Sequence, residues 1–445
     1  MATAVWVPVE DLDTWVLATV KDKTDTNVEL QRYWTPPEGV SQTLSMTPAE
    51  FDKLRLCTMD YTDIAEDLTM LEEVNEASIL HTLRQRYNKD LIFTAIGPVL
   101  IAVNPYRPVS CCDSDYMLGL KKEDPATLSP HVFKVANTAI TGLIESRRAQ
   151  SILISGESGA GKTETNKLCL VCLAEISGSS GRATDAALDS AILLEAFGNA
   201  ATVYNDNSSR FGKWCAVNFD ADYKVGRCVV EVYLLEQTRV ISPNDKERNY
   251  HIFYQLLVGA TAEERAILKL KPKAEDYEYT CPKKNKAPRL KIEKVDDKKE
   301  WEDVKRMMES LGFERDEQLR IFSLISAVLL LGNIGFKPGQ GELFAVDDKD
   351  GLSTIANLIG LQPPTLEARL TTRIVSTGKG SSTYTVPLTK EQCYDTRDAL
   401  SKGLYSAMFS HVVERLNECL GEGAPPAIDD RYVGLLDIFG FENFA

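Results

Sequence analysis

Eight consecutive residues, Gly156-Glu157-Ser158-Gly159-Ala160-Gly161-Lys162-Thr163, have the types and the order needed to hold a phosphate chain. They fit G-x-x-x-x-G-K-[ST]. In that pattern glycines let successive backbone N–H groups turn inward around phosphate oxygens. Lys162 is placed to reach the β- and γ-phosphates, and the Thr163 hydroxyl to ligate Mg²⁺. The apolar run 152–154 just before it predicts a strand. Residues 162–176 predict a helix, whose N-terminus adds partial positive charge. By chance such a string arises in a chain of this length about one per cent of the time. With a strand before and a helix after, nucleotide binding is the expected chemistry.

Two further segments carry polar groups suited to the same task. The stretch Asn205-Asp206-Asn207-Ser208-Ser209-Arg210-Phe211-Gly212-Lys213 sets adjacent hydroxyls and an arginine between a predicted helix and strand. Taken alone it reads equally well as a polar turn. The stretch Asp437-Ile438-Phe439-Gly440-Phe441-Glu442 puts an acidic residue at the end of a buried apolar run. An aspartate there suits a second-sphere partner of Mg²⁺.

In this order the three segments resemble the myosin family, in the strings GESGAGKTET, NDNSSRFGK and LLDIFGFE. DLTMLEEVNEASILHTLRQRY, IAVNPY, YLLEQTRVI, ERNYHIFYQLL, LLLGNI and RDALSKGLY extend the resemblance over essentially the whole chain. The switch sequences of kinesin are not seen. The resemblance implies an actin-based motor ATPase using ATP and Mg²⁺. Gly156, Glu157, Ser158, Gly159, Ala160, Gly161, Lys162 and Thr163 would hold the phosphates. Asn104, Pro105 and Tyr106 would lie by the adenine, and Asn205 near the nucleotide. Thr163 and Ser209 would ligate Mg²⁺ directly and Asp437 through water. Ser208 and the Gly440 backbone would contact the γ-phosphate and the attacking water. Arg210 would pair with Glu442 when the site closes. Lys162, Ser208, Arg210, Gly440 and Glu442 are thus the expected catalytic group. A non-motile nucleotide- or actin-binding anchoring protein is the alternative.

The same resemblance implies actin filaments as partner, a place on the actin cytoskeleton in the cytoplasm, and calmodulin-like light chains bound by chain beyond residue 445. Family heads continue well past the second switch, so residues 1–445 are expected to be the front portion of a longer protein. The portion beyond is expected to supply a strand beside the phosphate-loop strand. Some positions depart from the family pattern. Cys112 stands where tyrosine is common, Ala201 and Tyr204 replace basic residues, and Gln237-Thr238 replace Lys-Ser.

The elements that must position these groups read as α/β: a P-loop NTPase core with a mixed central sheet flanked by helices. Short β-like runs over 5–35 precede it, separated by polar turns, and fit a small SH3-like β-barrel. The expected divisions are 1–45 for the barrel, 46–184 for the part with the phosphate loop, and 185–445 for the part with both switches. A helical stripe of Ile79, Leu80, Leu83 and Tyr87 is expected, with strands at 217–219, 228–235 and 433–438. Residues 249–420 read as mainly helical apart from a hairpin at 372–388. That hairpin matches in position a family loop that touches actin, and it holds Arg373 and Lys379 without an acidic residue. Counting back sixteen residues from Asp398 gives Ser382, which the family pattern makes a position for a kinase.

Composition bounds the rest. The chain has 445 residues, a formal net charge of −15 and 44% hydrophobic residues. Such a charge argues against nucleic acid as the main partner, since that binding rests on neutralising phosphates. No 18-residue apolar run predicts a membrane span. No basic start followed by an apolar core predicts a signal peptide. The ten cysteines read as free thiols, and Cys169 with Cys172 as one buried helix face rather than a metal or redox pair. The four histidines lie too far apart in sequence to suggest zinc.

Overall fold

Val5, Val7, Val16, Ala18, Val28 and Leu30 alternate along three short strands and are buried together on one face. Trp6 and Leu17 point the other way and pack with Met59 and Ala77. A strand whose successive side chains are buried on opposite faces must be covered on both. The computed structural model describes residues 3–9, 14–34, 41–113, 116, 119–121, 127–178, 182–284, 288–293, 295–339, 341, 343–377, 382–421 and 431–438. Two compact units, 1–141 and 142–445, are described separately.

In the first unit, β1 (Ala4–Val9), β2 (Thr14–Lys23), β3 (Val28–Arg32), β4 (Thr43–Met46) and β5 (Arg55–Leu56) form one antiparallel sheet ordered β4-β3-β2-β1-β5. The sheet therefore runs past residue 45 to Leu56. β6 (Phe93–Ile96) pairs with β7 (Val99–Ala102) as a hairpin. The helix Glu76–Tyr87 starts at a reciprocal cap between Asn75 and Ser78. Its buried face is not the expected apolar stripe. Ile79, Leu80, Leu83 and Tyr87 are half-buried, while Ala77, Ser78, His81, Thr82 and Arg86 are buried. The polar members can go inward because they find partners. The Arg86 guanidinium donates to the Phe93 carbonyl from Nε (3.2 Å) and Nη2 (2.7 Å). The Thr82 hydroxyl donates to the Ser78 carbonyl at 2.9 Å.

The second unit holds β8 (Gln150–Ile154), β9 (Asn199–Ala200), β10 (Ser208–Ser209), β11 (Gly212–Phe219), β12 (Val225–Tyr233), β13 (Phe336–Pro338), β14 (Phe344–Val346), β15 (Thr372–Thr377), β16 (Ser382–Pro387) and β17 (Tyr432–Asp437). A mixed four-stranded sheet runs β12-β11-β17-β8. β17 is antiparallel to β11 and parallel to β8, and its Asp437 lies opposite Ile154. β15 and β16 are the expected hairpin. Ser382 pairs with Thr377 through the backbone, and residues 378–381 between the strands lie outside the described ones. β13 and β14 add a second hairpin within 249–420, one whose three-residue strands carry too little alternation to show in the sequence.

Helices Lys162–Ser177, Arg182–Gly198, His251–Gly259, Asp297–Ser310, Arg315–Leu331 and Lys390–Gly421 make up much of the rest. Their apolar residues share a core. Trp301 packs on Phe322 with ring centres 4.5 Å apart, and Tyr250 stacks on Tyr405 at 4.9 Å. Cys169 and Cys172 lie buried on the phosphate-loop helix, where burial pushes the Cys169 thiol up to about 12. Among the described residues no helix is long and apolar enough to cross a membrane.

Candidate functional site

The phosphate loop leaves β8 at Ile154 and enters its helix at Lys162. Gly159 (φ 83°) and Gly161 (φ 91°) lie in the left-handed region, where a side chain would be strained. Gly161 is the residue before the first helical turn, and its carbonyl accepts from the Thr165 N–H at 2.9 Å. The Lys162 ammonium folds back over the loop and donates to the carbonyls of Gly156 (2.9 Å) and Glu157 (2.8 Å). The chain's own oxygens thus hold this cation at the mouth of the loop.

The second segment is anchored by backbone and by turn chemistry. β10 pairs with β9, setting Ser208 against Ala200 and Ser209 against Asn199. The Thr202 hydroxyl accepts from the N–H groups of Tyr204 (3.3 Å) and Asn205 (3.1 Å). The Asn205 amide in turn accepts from the Asn207 N–H (3.0 Å) and donates to the Asn207 carbonyl (3.1 Å). Asn205 is therefore engaged in shaping its own turn.

The three segments meet. Ser158 of the phosphate loop and Ser208 lie 3.0 Å apart, hydroxyl to hydroxyl. Arg210 Nη1 donates to the Ser208 hydroxyl at 3.2 Å. Thr163 Oγ1 donates to Asp437 Oδ2 at 3.2 Å, joining the loop helix to the end of β17. Thr163, Glu195, Asn199, Ser209, Lys213 and Asp437 line one small pocket backed by Leu194 and Phe211. The two hydroxyls and the carboxylates of Glu195 and Asp437 are oxygen donors of the kind a hard cation such as Mg²⁺ takes, and the Lys213 side chain shares the same lining. Among the described residues no cluster of histidine, cysteine, aspartate and glutamate suggests another metal.

Gly440 and Glu442 lie outside the described residues, as do Phe439 and Phe441. Asn104, Pro105 and Tyr106 belong to the first unit. There Asn104 Oδ1 accepts from the Tyr106 N–H at 2.9 Å, and the Tyr106 ring is 82% exposed.

Several residues around the site gave no sequence signal. Arg210 Nε donates to Glu236 Oε2 at 2.6 Å. The same oxygen accepts from Arg239 Nε at 2.8 Å, and Arg239 reaches Glu247 at 2.9 Å. Glu236 and Arg239 stand three apart in one turn, the only spacing cue available. Lys167, one turn beyond Thr163, forms ion pairs at 3.0 Å with both Glu164 and Glu195. Burial alone would lower the Lys167 pKa, but Glu195 and Glu164 outweigh it and raise it. Burial, helped by Arg248 and Arg239, holds His251 down to about 3, so its ring is neutral.

The sequence matches the family model described as myosin head (motor domain) over residues 65–445. Among curated relatives, the Myosin-I heavy chain of Dictyostelium discoideum is 39% identical over 389 residues, covering 86% of this chain and 16% of that protein. The Myosin IA heavy chain of the same organism is 40% identical, covering 85% of this chain and 38% of that protein. Myosin-1 of Arabidopsis thaliana is 39% identical, covering 86% and 32% respectively. The chain thus spans well under half the length of each of these relatives.

Proposed function

The chain belongs to the myosin head (motor domain) family, and from that premise we propose that it carries the nucleotide site of an actin-based motor that hydrolyses Mg-ATP. The observation that carries the proposal is the convergence of Thr163 on Asp437 and of Ser158 on Ser208, from three separated stretches of chain. In this reading the inward-turned N–H groups of the phosphate loop and Lys162 bind the phosphates, Lys162 exchanging its loop carbonyls for phosphate oxygens. Thr163 and Ser209 would hold Mg²⁺ directly and Asp437 through water. When bound, the ion neutralises charge developing on the phosphate oxygens. Ser208 and the Gly440 N–H orient the attacking water. Phosphoryl transfer asks for placement and charge compensation, which these groups can supply without a histidine or carboxylate base. Asn104, Pro105 and Tyr106 flank the base, and Asn205 sits near the nucleotide.

The finer organisation follows the same reading. Residues 1–45 make up most of an SH3-like barrel whose sheet continues to Leu56. Residues 46–184 and 185–445 carry the phosphate loop and the two switches on a P-loop NTPase core. The hairpin β15–β16 meets actin, and a kinase acts at its Ser382. The protein works on the actin cytoskeleton in the cytoplasm.

Lys162→Ala should abolish binding of a fluorescent ATP analogue. Arg210→Ala and Glu442→Ala should bind it normally yet lose hydrolysis in single-turnover assays. Normal hydrolysis by both of the latter variants would remove the closed-switch mechanism. For the hairpin, Ser382→Glu should show higher actin-activated turnover than Ser382→Ala. Equal rates would dismiss the phosphorylation proposal. A protein that binds nucleotide and actin without actin-activated turnover would instead be an anchoring protein.

A further inference from the structure

Asn207 sits two residues before Ser209 and makes three side-chain contacts, each to a different element. Its amide nitrogen donates to Glu195 Oε2 at 2.9 Å. Its amide oxygen accepts from Asn199 Nδ2 at 2.9 Å and faces His251 Nε2 at 3.2 Å. The chemistry fixes this orientation. A carboxylate only accepts, so the NH2 end must face Glu195. The oxygen is then left for the Asn199 amide and the N–H of a neutral imidazole. Glu195 uses its other oxygen, Oε1, on Lys167 at 3.0 Å. Lys167 rides on the same helix as Thr163, one turn along, so its ammonium follows any movement of that helix.

A continuous path therefore runs from the phosphate-loop helix through Lys167, Glu195 and Asn207 to the strand carrying Ser209. Its two ends carry the two hydroxyls that line the pocket, Thr163 and Ser209. The two-residue ladder β9–β10 alone is a short support for Ser209, because a pair of strands that brief is weak on its own. We propose that Asn207, anchored to Lys167 through Glu195, is the positioning residue that sets Ser209 at the correct separation from Thr163 for Mg²⁺. The inference rests on the nucleotide-site reading above and adds a residue to it. Mg²⁺ tolerates little departure from octahedral geometry, so a displaced Ser209 loses the ion before it loses the phosphates, which the loop itself binds.

The test is a titration of the purified full chain with Mg²⁺ while N-methylanthraniloyl-ADP binding is followed by fluorescence, with a parallel measurement in EDTA. Asn207→Ala should raise the Mg²⁺ concentration giving half of the tightening by about tenfold, as loss of an outer-shell partner does. Its affinity in EDTA should stay within about twofold of the wild type, since the phosphate cradle is untouched. Lys167→Met should shift the midpoint the same way by less. Added to Asn207→Ala it should give no further shift, because both act through one path. Lys167 is partly exposed, so this variant gives a reading even if Asn207→Ala does not fold. A wild-type Mg²⁺ midpoint in Asn207→Ala overturns the proposal. So does an equal loss of binding in EDTA and in Mg²⁺, which would mean general damage. If the wild type binds the ADP analogue in neither condition, the nucleotide-site reading falls and takes this inference with it. That result differs from one in which every variant responds to Mg²⁺ like the wild type.

Discussion

Glu236 accepts from two arginines at once, Arg210 at 2.6 Å and Arg239 at 2.8 Å. Both guanidinium groups are buried, and Glu236 itself is only partly exposed. Removing Glu236 takes one counter-charge away from each of two buried guanidinium groups. Glu236→Ala should therefore cost about 3 kcal/mol of stability, seen as a lower urea midpoint with unchanged slope. A midpoint equal to that of the wild type would mean that Glu247 and other neighbours take over both arginines. This residue also marks what the sequence could and could not reveal. Lys162 and Thr163 were legible because cradling phosphate demands a local string of fixed types. Glu236 and Glu195 were not. A single carboxylate acquires its role from partners 26 and 28 residues away, as in Glu236 with Arg210 and Glu195 with Lys167, and no local pattern encodes that.

At the scale of the element, β17 must bring Asp437 level with the end of β8, and the register depends on how closely the strands pack. Gly434 lies opposite Ala216 on β11, and the Trp214 ring occupies the space a side chain at 434 would need. Trp214 also meets Tyr432 edge-on at 6.3 Å. A glycine inside a strand commonly marks such a close approach. Gly434→Ala should push Trp214 aside and cost about 1–3 kcal/mol through overpacking, measurable as a lower denaturant midpoint with altered tryptophan fluorescence. An unchanged midpoint would show that the ring moves freely. The strands of this sheet were readable from their apolar runs, since 217–219, 228–235 and 433–438 fall on β11, β12 and β17. The helix Glu76–Tyr87 was readable as a helix but not in its orientation. Its buried arginine and hydroxyls find partners at Phe93 and Ser78, and hydrophobic periodicity does not register such pairings.

Across the whole molecule, His81, His131 and His251 are all held below the ordinary histidine pKa, in each case by burial first. His81 and His131 are lowered even though each ring donates an N–H to a carbonyl, of Tyr61 and Cys111 respectively. In the unfolded chain these rings take up protons near pH 6.5. Folded, they do so only at lower pH, and His251 only near 3. Between those limits the unfolded state binds more protons, so stability must fall as pH falls. The denaturant midpoint should be highest at pH 7 and above and decline from about pH 6.5 downward. A midpoint flat between pH 7.5 and 5, with proton uptake on unfolding absent, would contradict this. The order of the strands in the mixed sheet was not legible in the sequence, because pairing between β17 and β8 joins segments far apart in the chain.

The hydrogen bond between Thr163 and Asp437 closes a gap of 274 residues. During synthesis the phosphate loop leaves the ribosome long before its partner strand exists. At about 5–20 residues per second the wait is roughly 14–55 s. For that interval the nascent chain presents Thr163 without Asp437, with the edge of β8 that will receive β17 still uncovered. Chaperones that shield unpaired strands thus have a defined window in which to act on this polypeptide.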